Sequence, residues 1–171
     1  MGTATRFAPI HDINGNCIPS LYAGSSLEAA LFETVFHDVP PKAKLKTVAR
    51  SRVDVMSHTT LVTNRQIVLA KLRRPDLSKW RVSRRDLIES TAKFYSQTYL
   101  WAEAIHHQFP HIDGLVWTSN QCDPDDAYLF YGDRVFESDF TESDTRDGSL
   151  DLSFLSDART AGIRAGITII I

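Results

Sequence analysis

Residues 21–34 read Leu21-Tyr22-Ala23-Gly24-Ser25-Ser26-Leu27-Glu28-Ala29-Ala30-Leu31-Phe32-Glu33-Thr34, and this stretch carries the clearest structural signal in the chain. It predicts a short strand over 20–23, followed by a helix that Ser25 and Glu28 open as a capping box. We expect the helix to run to about Asp38, because Pro40-Pro41 follows. Its predicted buried stripe contains Leu27, Ala30, Leu31, Thr34 and Val35. Glu33 falls at the edge of that stripe, where a carboxylate can face a cleft.

Four residues are candidates for a site around this turn. Tyr22 precedes the helix, Glu33 lies eleven residues later, Arg6 lies in Thr5-Arg6-Phe7, and Ser119 ends Trp117-Thr118-Ser119-Asn120. A strand-to-helix turn positions side chains well, and the N–H groups of a helix start attract anions. Taken singly, each residue has an ordinary explanation: a surface cation, a core tyrosine, a solvated helix residue or a turn former. Together, a cation, a hydroxyl and a carboxylate suit an anionic substrate that develops positive charge elsewhere.

The rest of the chain alternates short strands with a few helices. Strands are predicted over 4–9, 45–55, 60–72, 115–119, 128–131 and 167–171, and helices over 83–93 and 94–109. Residues 137–151 are acidic and poor in large apolar side chains, which favours a flexible surface connection. This mixture predicts an α+β fold rather than a regular βαβ series.

Composition narrows the class of protein. The 171 residues are 43% hydrophobic and contain no apolar run long enough for a transmembrane helix. The N-terminus lacks the features of a signal peptide, and Cys17 and Cys122 have no metal-ligand spacing, so we expect a cytoplasmic protein with free thiols. Charge is segregated, since residues 42–85 contain 13 of the 19 Lys and Arg but only Asp54 and Asp76. A basic block can indicate nucleic acid, but the alternation with apolar residues favours exposed strand faces or a small phosphate-bearing ligand.

Three stretches resemble the RES domain family. They are Thr-Arg-Phe-Ala-Pro (5–9), the 21–34 stretch quoted above and Asp-Gly-Leu-Val-Trp-Thr-Ser (113–119). The family is named for an arginine, a glutamate and a serine, which correspond here to Arg6, Glu33 and Ser119, and its tyrosine corresponds to Tyr22. We expect one RES-like domain over 1–171, with the motifs within about 3–136, and an acidic connection and C-terminal strand over 137–171.

The resemblance implies a variant of the ADP-ribosyltransferase fold, with split mixed sheets and a few helices around an NAD cleft. It also implies a toxin of a toxin–antitoxin pair that depletes NAD⁺, in some members by phosphorolysis, and an Xre-type helix-turn-helix antitoxin that covers the cleft. NAD⁺ is then substrate and no cofactor is expected. Arg6, Glu33 and Ser119 would be catalytic, and all three would bind NAD⁺ together with Tyr22.

Two other functions stay open at the level of the sequence. One is a protein ADP-ribosyltransferase on the same scaffold, and the other is a non-catalytic module that binds nucleic acid or an acidic partner through residues 42–85. The acceptor of ADP-ribose (inorganic phosphate, water or a protein side chain) is not determined, although phosphorolysis is the expected route. Neither the histidines at 106, 107 and 111 nor Asp123-Pro-Asp-Asp has the pattern of a metal site.

Overall fold

The structure, a computed structural model, describes residues 5–171 as a mixture of short strands and helices. The strands are β1 Ile10–His11, β2 Cys17–Ile18, β3 Ser20–Gly24, β4 Lys46–Ala49, β5 Ser57–Thr63, β6 Leu69–Lys71, β7 Gly114–Thr118, β8 Asp126–Tyr131, β9 Phe140–Asp147 and β10 Ile167–Ile170. The helices are α1 Leu27–Glu33, α2 Ser51–Asp54, α3 Arg74–Lys79, α4 Arg84–Leu87, α5 Tyr95–Gln108 and α6 Leu152–Arg164. Short 3-10 helices lie at Ala92–Phe94 and Glu137–Asp139. The predicted α+β class is confirmed.

The strands form several small sheets. The largest has the order β3-β8-β7-β6, in which only the β6–β7 pair is parallel. Its strand β7 lies in the interior, since four of its five residues are buried. The other sheets each have two strands: β1 with β2, β4 with β10 in parallel, and β5 with β9.

Two apolar clusters hold these elements together. One packs α5 and β1 against the large sheet, and its fully buried members include Phe7, Leu115 and Tyr131. The other lies among α1, α6 and the β4–β10 pair, and contains Phe32 and Phe154. Arg6 precedes Phe7 of the first cluster, and Glu33 follows Phe32 of the second. The packing of the two clusters therefore positions the backbone at both candidate site residues.

Helix α1 begins and ends differently from the prediction. Ser26, not Ser25, caps it, because the Ser26 Oγ accepts a hydrogen bond from the Ala29 N–H at 3.0 Å. Ser25 instead accepts from the Asp126 N–H, so the predicted capping box is wrong. The helix ends at Glu33 rather than near Asp38. The chain turns there because this brings Val35 and Phe36, both at most 2% exposed, into the second cluster.

The N-terminal strand predicted over 4–9 is also wrong for the residues described here, and residue 4 lies outside them. Residues 5–9 are irregular, and β1 begins at Ile10. Pro9 has no N–H to donate to a strand ladder, and the Phe7 N–H is bound by the Tyr22 hydroxyl instead.

Elsewhere the long predicted elements are interrupted. The strand predicted over 45–55 is β4 followed by α2, and the one over 60–72 divides into β5 and β6. Helix α5 confirms the prediction over 94–109, whereas the helix predicted over 83–93 is reduced to α4 and a 3-10 turn. Residues 74–79 form α3, which Pro75 favours at its start.

The C-terminal third is more ordered than its composition suggests. Residues 140–147, expected as part of a flexible connection, form β9 and pair with β5. Most of β9 is exposed on both faces, so no alternation of apolar residues marks it in the sequence. Helix α6 was not predicted. The C-terminal strand β10 is confirmed, and its neighbour is β4.

Candidate active site

A cavity of about 440 Å³ lies where β3, α1 and the segment before β1 meet. It is lined by Thr5, Arg6, Tyr22, Ala23, Gly24, Ala30, Glu33, Thr34, His37, Asp38, Tyr95, Trp117 and Ala127. Three of the four candidate residues (Arg6, Tyr22 and Glu33) are therefore brought together. Ser119 is not part of the wall.

The turn from β3 into α1 places Tyr22 and Glu33 on the same cavity. Gly24 is required at this turn, because a Cβ there would lie 2.7 Å from the Ala30 nitrogen and 3.0 Å from the Ala29 Cβ. Without a side chain at Gly24, the first turn of α1 packs directly on β3. The helix then directs Glu33, two turns further on, back over the strand that carries Tyr22.

Ser119 forms a hydrogen bond with the Glu33 carboxylate from outside the cavity lining. Its Oγ donates to the Glu33 Oε1 at 2.6 Å, and the same Oγ accepts from the backbone N–H groups of Gln121 (3.2 Å) and Cys122 (3.1 Å). Ser119 is fully buried, with 0% of its surface exposed. Because the hydroxyl is itself fixed by two donors, the carboxylate has one defined orientation. Ser119 therefore contacts Glu33 without lining the cavity, and the direct contact with substrate expected from the sequence stays a prediction.

Arg6 presents an incompletely bonded guanidinium. Its Nη2 donates to the Ser90 carbonyl at 3.3 Å, and its Cζ lies 5.7 Å from the centre of the Tyr95 ring. Its Nε is buried and has no hydrogen-bond partner within residues 5–171. The Nη1 group makes no hydrogen bond within residues 5–171, and Arg6 lines the cavity, so its charge would stabilise an anion placed there.

Tyr22 connects the Arg6 segment to the large sheet. Its hydroxyl lies 2.7 Å from the Thr5 Oγ1 and accepts from the Phe7 N–H at 3.2 Å, on either side of Arg6. Its ring meets the edge of Trp117, with centroids 6.3 Å apart, and 39% of the residue is exposed to the cavity side. Burial of the hydroxyl raises the pKa of Tyr22 above its usual 10. The phenol therefore stays protonated at neutral pH and acts by hydrogen bonding.

The structure adds residues that sequence reasoning did not select. His37 lines the cavity, and its Nδ1 lies 3.1 Å from the Asp38 Oδ1, while Arg52 donates to the other Asp38 oxygen at 3.2 Å. The hydrogen bonds with His37 and then Arg52 hold the pKa of Asp38 below its usual range. Tyr95, the first residue of α5, forms an aromatic wall beside Arg6. The one sequence signal for His37 is its position four residues after Glu33, about one helical turn.

Glu28, Cys122 and Asp125 bring potential metal ligands within 4.8 Å of one another. Protein partners already engage them, because Glu28 pairs with Arg164, and Asp125 accepts from Ser26 and from the Cys122 thiol. Burial and the bond to Asp125 raise the pKa of Cys122 to about 11, which disfavours the thiolate that a metal needs. This cluster is best explained as a structural contact beneath α1.

An α+β protein with a carboxylate and a cation facing one aromatic-walled cavity is suited to an anionic substrate. The RES domain model matches residues 4–153, and the chain belongs to this family. The match extends past residue 136, the end expected from the motifs. At the level of the family, membership supports a toxin-like function related to NAD, and an association with Xre-type antitoxins.

No curated protein and no solved structure matches the chain. Every helix within residues 5–171 is too short or too polar to cross a bilayer.

Proposed function

We propose that this protein depletes NAD⁺ by cleaving the bond between nicotinamide and ribose, with inorganic phosphate as the acceptor of ADP-ribose. The observation that carries the proposal is the Glu33 carboxylate, held by Ser119 in the cavity that also contains Arg6. A carboxylate in a fixed orientation beside a cation suits a substrate whose sugar becomes positive while its phosphates remain negative.

The proposed chemistry begins with departure of nicotinamide. The bond between ribose C1″ and the pyridinium nitrogen breaks, and its electron pair neutralises the nicotinamide. Positive charge then develops on the ribose, as in glycoside cleavage, and the Glu33 carboxylate stabilises it. Glu33 Oε1 is bound by Ser119, whereas Oε2 has no hydrogen bond to the described part of the chain, so Oε2 can accept from a ribose hydroxyl.

Arg6 would hold the anionic part of the reaction. Its guanidinium lines the cavity and supports an anion at this position, either the pyrophosphate of NAD⁺ or the incoming phosphate. An oxygen of hydrogen phosphate forms the new bond to C1″ and gives ADP-ribose-1″-phosphate. Since the attacking oxygen carries no proton, the step needs no general base.

The walls of the cavity fit the remaining parts of the substrate. Tyr22, Tyr95 and Trp117 supply aromatic surface on which nicotinamide can stack, and Tyr22 can also fix the ribose. The cavity volume of about 440 Å³ lies within the range of about 300–1,000 Å³ that is usual for ligand sites.

The biological role we propose is that of a toxin whose cavity is covered by an Xre-type helix-turn-helix antitoxin. Membership of the RES family supports this role. Expression of the chain alone should lower cellular NAD⁺ and stop growth, and co-expression with such an antitoxin should restore both. Growth arrest without loss of NAD⁺ would contradict the proposal.

The decisive experiment compares the purified protein with Glu33→Gln, and with Glu142→Gln, an exposed residue of β9, as the matched control. We expect the wild type and the control to release nicotinamide and ADP-ribose-1″-phosphate only when phosphate is present. Loss of the charge at Glu33 should lower turnover about 10²- to 10³-fold, the usual effect of removing one electrostatic stabiliser.

The products distinguish the alternatives. Release of free ADP-ribose without phosphate would show that the reaction is hydrolysis and not phosphorolysis. Transfer of radiolabelled ADP-ribose to a protein would indicate an ADP-ribosyltransferase. Full activity of Glu33→Gln would show that the carboxylate is not catalytic. Absence of any NAD⁺ loss from the folded wild type would favour a non-catalytic binding module.

A further inference from the structure

A second concavity, separate from the candidate active site, lies between α3 and α4. Its volume is about 580 Å³, and four arginines line it, namely Arg74, Arg81, Arg84 and Arg85, with Glu89 as the only carboxylate among its lining residues. All four come from the basic block that the sequence singles out and that the proposed NAD⁺ chemistry leaves unexplained.

Most of this positive charge is not neutralised by the protein. Arg84 pairs with Glu89, with 3.0 Å between its Nε and the Oε1. Within residues 5–171, the side chains of Arg74, Arg81 and Arg85 form neither an ion pair nor a hydrogen bond, and all three are exposed. Three unpaired cations around one concavity concentrate positive potential there, which favours an anionic ligand.

The backbone at Arg81 supplies an independent observation. Helix α3 ends in a Schellman arrangement, in which the Arg81 N–H donates to the Ser78 carbonyl (3.1 Å) and the Val82 N–H donates to the Leu77 carbonyl (3.1 Å). The residue at the Arg81 position takes a left-handed conformation, here φ 57°, for which glycine is preferred. An arginine in this conformation is less favourable than glycine would be, so Arg81 adds a cation to the concavity at a cost in backbone energy.

The chemistry of the lining identifies the class of ligand. Guanidinium groups bind phosphate through paired N–H donors, and the hydroxyl of Ser78 offers a further donor. Within residues 5–171, no aromatic side chain lines this concavity, so the described residues give it no platform on which a nucleic-acid base would stack. All of its lining residues lie within 74–89, so its short extent suits a compact anion better than an extended strand.

We propose that this arginine concavity binds a small anion with two or more linked phosphates. The shared chemistry is the phosphate chain, which a nucleoside triphosphate or an inorganic polyphosphate could supply. The site does not depend on the proposed NAD⁺ reaction, because its binding can be measured directly.

The test titrates inorganic tripolyphosphate into the full chain by calorimetry, with the fluorescence of Trp80, which is 40% exposed and adjoins Arg81, as a second readout. The variant R74Q/R81Q/R85Q removes the three unpaired cations. The matched control K42Q/K44Q/R159Q removes the same charge from exposed positions outside the concavity. Arg6→Gln removes the cation of the candidate active site.

We expect tripolyphosphate to bind the wild type, the control and Arg6→Gln within twofold of one another, and R74Q/R81Q/R85Q at least tenfold more weakly. ATP in place of tripolyphosphate then distinguishes the sources: equal affinity indicates recognition of the phosphate chain alone, and tighter binding indicates a nucleoside triphosphate. The proposal is overturned if the wild type does not bind, if the control loses as much affinity as R74Q/R81Q/R85Q, or if binding is lost in Arg6→Gln instead. Tighter binding of a twenty-nucleotide single strand would overturn it in favour of nucleic acid.

Discussion

Ser119 acts on the candidate active site through one atom. Its fully buried Oγ receives two backbone N–H groups and gives its own proton to Glu33. A hydrogen bond to a carboxylate is stronger than one between neutral groups, and burial strengthens it further. We therefore propose that Ser119 orients the carboxylate, since it bonds Glu33 but does not line the cavity itself.

Ser119→Ala tests this positioning role. We expect kcat for NAD⁺ cleavage to fall about 10- to 100-fold with KM nearly unchanged, because the carboxylate remains but loses its orientation. The free energy of unfolding should fall by about 1–3 kcal/mol, since buried N–H groups lose their acceptor. Ser119→Thr, which keeps the hydroxyl, should recover part of kcat. A raised KM with unchanged kcat would instead show that Ser119 binds substrate directly.

Tyr22→Phe tests the connection between Tyr22 and the Arg6 segment. The Phe7 N–H loses its acceptor, so we expect about 1–3 kcal/mol lower stability, measured by urea unfolding. KM for NAD⁺ should rise more than kcat falls, because Arg6 is less well held. The matched control is Tyr99→Phe, a half-buried tyrosine whose hydroxyl has no hydrogen bond within residues 5–171. Equal effects in the two variants would contradict this role.

At the scale of elements, Arg65 links the segment between β5 and β6 to the residues that precede β7 and β9. It makes a bidentate pair with Asp113, just before β7, and binds Asp139, just before β9. It also donates to the Arg134 carbonyl at 2.7 Å. The bonds to Asp113 and Asp139 hold the pKa of Arg65 above its usual range. The Phe136 N–H and then Arg65 hold the pKa of Asp139 below its usual range. The small β5–β9 sheet is thereby joined to the large sheet.

Arg65→Gln should lower the free energy of unfolding by more than an ordinary surface substitution does, because Asp113 and Asp139 lose their shared cation. Arg65→Lys should recover only part of the loss, since an ammonium cannot form the bidentate pair. Arg159→Gln, on the exposed face of α6, should change stability by less than about 0.5 kcal/mol in the same urea titration. Similar losses for Arg65→Gln and Arg159→Gln would show that the ion pairs of Arg65 contribute little to the free energy of unfolding.

At the scale of the whole molecule, the free energy of unfolding should depend on pH in the alkaline range because of the buried thiol of Cys122. Its pKa is raised from 9.0 in the unfolded chain to about 11, and only 4% of the residue is exposed. Below pH 9 the thiol is protonated in both states, so its contribution to stability is complete. Between pH 9 and 11 the unfolded chain loses the proton and the folded chain keeps it, so stability falls by about 2–3 kcal/mol.

Urea unfolding of the reduced protein at pH 8 to 11 measures this effect. Cys122→Ala lacks the thiol, so its free energy of unfolding should fall by about 2–3 kcal/mol less than that of the wild type over the same interval. The buried tyrosines, whose pKa values are also raised, remain in both proteins and cancel in the comparison. Cys17→Ala, at an exposed thiol, should follow the wild type. Parallel curves for all three proteins would contradict the assignment.

Long patterns in the sequence predicted elements better than short ones. Helix α5 and strands β3, β7 and β10 follow from apolar runs or periodicity, and all four are present. Strand β9 has no such pattern, because its residues are exposed and only its pairing with β5 makes it a strand. The end of α1 was misjudged for a similar reason, since burial of Val35 and Phe36 decides where the chain turns.

The sequence by itself determined the α+β class, the RES family and the presence of Arg6, Tyr22 and Glu33 at one site. These depend on local patterns and on a motif that the residues carry directly. Tertiary structure alone decided that Ser119 stands behind Glu33, that His37 and Tyr95 join the cavity wall, and that four arginines surround a second concavity. Each of these depends on which distant segments pack together, and packing is a property of the whole fold that no local window of residues contains.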